Sequence, residues 1–198
     1  MSCASDQLDA GAMRGRLASL LLEKSYRAGE VILTSGRKSD YYFDCKQTAL
    51  LPEGAWLIGN LLFDLVPPDV VGVGGMTLGA DPLVSSVSLV SFLRGRPMPG
   101  FIVRKAPKGH GTNQFLEGLA NFNSGDRVAL LEDVVTTGGT LLTVIDRVQE
   151  AGLTVAAVLT VLDRREGGAE RLAERGFPLL SVFTRDALLD AADQQTTS

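Results

Sequence analysis

The chain reads as an α/β protein, a five-stranded and mostly parallel sheet flanked by helices and preceded by a small N-terminal hood. Three observations carry that reading. Five short runs rich in Val, Ile and Leu, among them VVGVGG and TVAAVLTVLD, show no polar alternation, as strands do when helices cover both faces of a parallel sheet. Segments with helical periodicity separate these runs. Hydrophobic residues make up 45% and charged residues 21%, the balance of a folded globular chain. At 198 residues there is material for one substantial domain, with the hood over about 1–50, the core over about 52–185 and a polar tail, 190–198, expected to fray.

The elements follow in order. Residues 6–24 suit a helix, because Leu8, Met13, Leu17, Leu20 and Leu21 fall near one face. GEVILTSGRKSDYYFD then reads as a strand, a turn at Ser35–Gly36 and a second strand. Pro52 stands where a helix begins, a place where its missing N–H costs nothing, and EGAWLIGNLLFDL continues as a largely buried helix. After it come VVGVGG (strand), ADPLVSSVSLVSFLR (helix), GFIVRK (strand) and a long polar loop. RVALLED (strand), TLLTVIDRVQE (helix), TVAAVLTVLD (strand), a short helix near 168–175 and PLLSVF (strand) complete the pattern. Ligands of such sheets bind at the carboxyl ends of the strands, which selects the loops after residues 73, 104, 132 and 162.

Bulk properties narrow the function. A net charge of −4 argues against a broad nucleic-acid-coating surface, so no nucleic-acid partner is expected. No stretch approaches the ~18 uninterrupted apolar residues of a membrane span, so no membrane partner is expected either. Cys3 and Cys45 are far apart and form no CxxC pair, which suits reduced thiols and a cytoplasmic setting. The N-terminus carries Asp6, Asp9, Arg14 and Arg16 and has no long apolar core, so no signal peptide is expected.

RVALLEDVVTTGGT, residues 127–140, is the most informative stretch. An apolar run ends in Glu132 and Asp133, and Thr136, Thr137, Gly138, Gly139 and Thr140 follow ahead of a helix whose Leu141, Val144, Ile145 and Val148 form one face. The first N–H groups of a helix lack internal partners and carry the positive end of its dipole. With glycines that admit a close ligand and hydroxyls that add donors, the turn would cradle a phosphate. A plain strand-to-helix turn, with Thr as cap and Gly for the bend, would use the same residues. The chain has no GxxxxGK[ST] loop. Gly72-Val73-Gly74-Gly75-Met76-Thr77 lacks the last glycine of a dinucleotide fingerprint.

The apolar strand, paired acids and TTGGT loop resemble the phosphoribosyl diphosphate (PRPP) motif of the type I phosphoribosyltransferases. The resemblance implies that fold, with Val134, Val135 and Thr136 to Thr140 around the 5′-phosphate and Glu132 and Asp133 facing the ribose hydroxyls. Carboxylates are strong acceptors for hydroxyl donors, and they favour positive charge developing on the ribose ring.

A second stretch, FIVRKAPKGHG, sets Arg104, Lys105, Lys108 and His110 within seven residues, with no acid between Arg104 and Glu117. A solvated polar loop would also read this way. Its place on the ligand side of the sheet and its possession of the chain's one histidine favour function. Cations suit a diphosphate leaving group, each charge-assisted hydrogen bond contributing roughly 1.5–3 kcal/mol, and histidine supplies charge or a proton near neutral pH. RKxxKxHG resembles the catalytic loop of the orotate phosphoribosyltransferases. That resemblance implies PRPP contacts from all four residues and catalytic roles for Lys105, Lys108 and His110 beside Glu132 and Asp133. It also implies a homodimer whose loop is shared across the interface, with Lys105 contributed across it, and Mg²⁺ carried mainly by PRPP oxygens with no metal site of the protein's own.

SGRKSDYYFD resembles the family's SGxxSxxYxD hood segment, which implies Tyr42 and Phe43 near the orotate ring; core packing is the other reading for Phe43. Many members have a lysine just before this SG, where Thr34 stands here. VGGMTLGADP occupies the place of the diphosphate loop, with Leu78 and Gly79 where some members have Tyr-Lys. In LDRREGG, Arg164 matches the arginine that grips the orotate carboxylate, two N–H donors meeting two oxygens; a surface ion pair with Asp163 or Glu166 is the alternative. Thr136 is the other implied orotate neighbour. The resemblance thus implies transfer of phosphoribosyl from PRPP to orotate, in de novo pyrimidine synthesis. Alternatives are a phosphoribosyltransferase for another base and a PRPP-sensing regulator of the same fold.

Overall fold

The computed structural model describes residues 9–32, 38–107 and 115–196. The hood begins with α1 (Ala10–Leu20), which a π-helical turn (Leu21–Ser25) extends. Asp9 caps α1, its side chain accepting the Ala12 N–H at 2.7 Å, and Met13, Leu17 and Leu20 are buried. Strands β1 (Tyr26–Ile32) and β2 (Lys38–Phe43) pair antiparallel. Ser35 and Gly36, read as their turn, lie outside the described residues, as do Leu8 and Thr34. A one-turn helix, α2 (Lys46–Ala49), leads to α3 (Pro52–Leu65), where Pro52 occupies the first turn and Leu57, Ile58, Leu61 and Leu62 face inward.

The core sheet comprises β3 (Gly72–Met76), β4 (Gly100–Val103), β5 (Leu116–Glu117), β6 (Arg127–Val135), β7 (Thr154–Asp163) and β8 (Leu179–Thr184). Their order is β5-β4-β3-β6-β7-β8, and all pairings are parallel except β4 with β5. The sheet therefore has six strands where five were expected. The sixth is a two-residue antiparallel edge, too short for any periodicity to announce. Helices α4 (Asp81–Leu93), α5 (Gly139–Glu150) and α6 (Gly168–Glu174) connect the parallel strands. Two apolar layers result, one shared by the hood, α3 and α4, the other covering the opposite face with α5. Fully burying a Leu or Ile side chain contributes about 1.5–3 kcal/mol, and Leu17, Leu57, Leu62, Leu130, Ile145 and Leu159 are all sealed from solvent.

The tail departs from expectation. Of the tail 190–198 that was expected to fray, the described part belongs to α7 (Arg185–Thr196), and 197–198 lie outside the described residues. The Thr184 hydroxyl accepts the Ala187 N–H at 3.3 Å, and Leu188 is buried with Ala191 packed beside it. These apolar contacts and the Arg185–Asp40 ion pair at 2.7 Å hold it to the domain.

The connections fix where a ligand can sit. From β3 the chain runs outward to β4, and from β6 it runs the other way to β7 and β8. The reversal lies between β3 and β6, and the crevice at such a switch point is where open α/β sheets bind ligands.

Candidate active site

An open cleft of about 530 Å³ occupies this switch point, lined by Met76 at the end of β3, by Thr77 to Gly79 after it and by the whole of Glu132 to Leu141. Lys46 and Lys105 complete its wall. Nine consecutive residues read from the sequence as ligand-binding, Glu132 to Thr140, thus face one cavity.

The acids sit inside β6, three and two residues before its end, because β7 keeps pairing past them: Glu132 lies opposite Thr160, Val134 opposite Leu162 and Val135 opposite Asp163. The carboxylates are consequently held by sheet and not by loop. The Val134 N–H donates to Asp133 Oδ1 at 2.9 Å, and the Asp133 N–H donates to Glu132 Oε1 at 3.3 Å. Burial first, and then the neighbouring Asp133 charge, push the Glu132 carboxyl well above the usual carboxylate range. Gly79 abuts this pair. A Cβ there would stand 2.7 Å from Asp133 Oδ1, so the loop after β3 reaches the acids only because it has no side chain at that point.

The phosphate cradle is equally tight. Gly138, at φ 72°, is the cap of α5 and brings no side chain to its N-terminus, leaving the first-turn N–H groups to a ligand. The left-handed φ favours glycine. Behind it Gly168 of α6 is packed so closely that a Cβ would run into Val135 and lie 2.7 Å from the Thr136 carbonyl.

Lys46 has no counterpart in the sequence reading. From the start of α2 its Nζ pairs with Asp44 Oδ1 at 2.6 Å and lies 3.9 Å from Asp133 Oδ2. Burial lowers its pKa, but Asp44 and Asp133 outweigh that and raise it, so it is a fixed cation beside the acids. The only hint in the sequence is a lysine soon after the hood strand, with no spacing to mark it.

The basic stretch is built differently. Arg104 pairs with Glu117 at 3.0 Å, its N–H donates to the Phe115 carbonyl and its own carbonyl accepts from Arg147 Nη1 at 2.9 Å. It therefore faces the edge of the sheet and not the main cleft. Lys105 is exposed and borders both the cleft and a neighbouring hollow of about 370 Å³ that contains Arg104 and Glu117. Lys108 and His110 lie outside the described residues.

The residues read as orotate contacts separate. Arg164 follows β7, its N–H donating to the Val135 carbonyl at 2.9 Å, which sets it beside Thr136. Its pairing with Glu166, 2.9 Å from Nε, is as the alternative reading has it, but the guanidinium is buried, its side chain 5% exposed. Tyr42 is 46% exposed, whereas Phe43 is 8% exposed and packs in the core. Core packing is thus the arrangement Phe43 displays. Tyr41, unremarked in the sequence, lies under Arg164, 4.3 Å from guanidinium carbon to ring centroid.

Among the described residues no group of three or more His, Cys, Asp or Glu side chains comes together as a metal site. Also among them, no helix is long and apolar enough to cross a membrane.

No family model matches the chain. It is 46% identical to the orotate phosphoribosyltransferase of Sorangium cellulosum over 174 residues, covering 87% of this chain and 91% of that one. It is 48% identical to that of Thermosynechococcus vestitus over 171 residues, covering 86% and 90%. Among solved structures it resembles Mycobacterium tuberculosis orotate phosphoribosyltransferase in complex with PRPP, with a TM-score of 0.73 at 35% identity, over 89% of this chain and 98% of that one.

Proposed function

The chain belongs to the orotate phosphoribosyltransferase family, and from that premise we propose how its cleft divides the work. The enzyme transfers the 5-phosphoribosyl group from PRPP to orotate, giving orotidine 5′-phosphate and diphosphate in pyrimidine biosynthesis. The observation that carries the division is the single wall, Glu132 to Thr140, that joins two carboxylates to a helix N-terminus. Val134 to Thr140 take the 5′-phosphate, and Glu132 and Asp133 accept from the ribose hydroxyls. Lys105, Lys108 and His110, with Arg104 released from Glu117, neutralise the departing diphosphate. The displacement at the anomeric carbon is dissociative, with the acid pair favouring the cationic ribose ring. Position and exclusion of water supply the rest. Thr136 and Arg164 receive orotate, with Tyr42 the exposed hood ring offered to it, while Phe43 packs in the core.

Two carboxylates are too few for a protein-built Mg²⁺ cage but suit an ion that arrives on PRPP and keeps several of its own oxygens. Such an ion would offset diphosphate charge, with Glu132 and Asp133 the residues placed to meet it. We further propose a homodimer with the catalytic loop shared across its interface. The apolar face of α4, where Leu89, Phe92 and Leu93 are 60–70% exposed, supports it, because monomers rarely leave such patches bare. The free, buried thiol of Cys45 suits a reducing, cytoplasmic setting.

The test is turnover. With PRPP and Mg²⁺, orotate absorbance should fall in the presence of the protein, while uracil and hypoxanthine are left unconsumed. No orotate turnover at saturating PRPP contradicts the assignment.

A further inference from the structure

Tyr41 has no part in the division of labour above, yet more charged groups converge on it than on any other hood ring described. It is 2% exposed. Tyr26 stacks on it with centroids 5.4 Å apart. The Arg164 guanidinium carbon lies 4.3 Å from its ring centroid and that of Arg185 4.8 Å. Carboxylates steady both cations, Glu166 holding Arg164 at 2.9 Å and Asp40 holding Arg185 at 2.7 Å. One ring of β2 therefore meets the residue that follows β7 and the residue that opens α7.

Glu166 holds the guanidinium from its edge, at Nε. A ring face fixes its plane as well, and the attraction of a cation to that face grows when water is excluded, as it is around Arg164. Burial raises the Tyr41 phenol pKa against the lowering effect of the two arginines, so the ring stays neutral beneath them.

We propose that Tyr41 is a positioning residue, whose ring sets the plane of the Arg164 guanidinium and so carries part of the selectivity for a carboxylated pyrimidine. The proposal rests on the reading of Arg164 as the orotate contact. It differs from a structural role in acting on one substrate, through one arginine, by way of the ring and not the hydroxyl.

The experiment is steady-state kinetics on Tyr41→Met, Tyr41→Phe, Arg164→Ala and the Tyr41→Met/Arg164→Ala pair, with melting temperatures alongside. Tyr41→Met keeps apolar volume and removes the ring. It should raise the KM for orotate by about tenfold and leave the KM for PRPP near its parent value. Tyr41→Phe should match the parent, and Tyr41→Met should add nothing once Arg164 is gone. Equal rises for both substrates, a Tyr41→Phe defect as large as that of Tyr41→Met, or an undiminished effect in the Arg164→Ala background would overturn it. Should Tyr41→Met not fold, Tyr41→Leu is read the same way; failure of both to fold while Tyr41→Phe folds makes the ring structural and overturns the proposal. If Arg164→Ala leaves the orotate KM unchanged, the reading of Arg164 fails and the proposal with it. If Arg164→Ala raises that KM and Tyr41→Met does not, the proposal alone fails.

Discussion

The two walls of the cleft stand on different foundations. The 132–140 wall grows from β6, a central strand paired along its length with β7, and its turn is wedged against α6 at Gly168. The basic stretch leaves β4, one strand from the edge, and begins with Arg104 tied to Glu117 and with Lys105 open to solvent. The 132–140 wall is therefore preorganised by the fold, whereas in the proposed division of work Arg104 has to leave Glu117 when the ligand is present. That is an economical split. A ground-state clamp profits from rigidity, while cations that stabilise a departing diphosphate contribute most in a closed and drier site.

The largest expected effect tests the basic side of this contrast. Lys105→Ala should lower kcat by about 10²–10³-fold with little change in melting temperature, since the side chain is exposed. Mixed with an Asp133→Ala chain, which is impaired on its own, it should regain part of the activity, as the proposed sharing of the loop between subunits requires. An absence of recovery after proven subunit exchange would assign Lys105 to the cleft of its own chain.

The rigid side breaks by packing. Gly168→Ala forces a methyl group against Val135 and the Thr136 carbonyl and should cost about 1–3 kcal/mol of stability in urea melts. Ala106→Ser, an exposed change in the basic stretch, should stay within about 0.5 kcal/mol. Comparable losses from the two would erase the difference between the walls.

A smaller effect lies in Glu132. Its folded-state pKa is raised, so below the ordinary carboxylate range both folded and unfolded chains hold it neutral and it costs nothing. As pH rises through that range the unfolded chain ionises first and stability falls until the folded group ionises too. Glu132→Gln removes this penalty. The ligand-free variant should melt about 2–4 °C higher at neutral pH, with the gain shrinking toward acid pH and activity lost. Parallel melting curves across pH would contradict a buried, strained acid pair.

The sequence exposed the fold wherever burial imposes a pattern. The parallel strands are apolar throughout because both faces are covered, and the helices between them keep one apolar face. Elements held by tertiary contacts alone stayed hidden: β5 has two residues, α2 a single turn, and α7 is anchored by Leu188, Ala191 and the contact of Arg185 with the hood. The site followed the same rule. Glu132 to Thr140 were legible because contiguous residues at a strand-to-helix turn share one wall. Lys46 and Tyr41 were not, because what places them is the docking of the hood onto the core, which no local spacing encodes. Arg164 was identifiable as a residue, but its burial beneath the hood was not. Phe43 shows the limit of a motif, since neighbouring strand residues point opposite ways and only one of Tyr42 and Phe43 can face a ligand.

The contrast between the walls is tested most directly with ribose 5-phosphate, which carries the phosphate and hydroxyls of PRPP without its diphosphate. Calorimetric titration into the parent, Lys105→Ala and Asp133→Asn proteins isolates the clamp. Lys105→Ala should bind ribose 5-phosphate as the parent does, and Asp133→Asn should bind it at least tenfold more weakly, a loss of roughly 1.4 kcal/mol. A Lys105→Ala loss equal to that of Asp133→Asn would contradict the account.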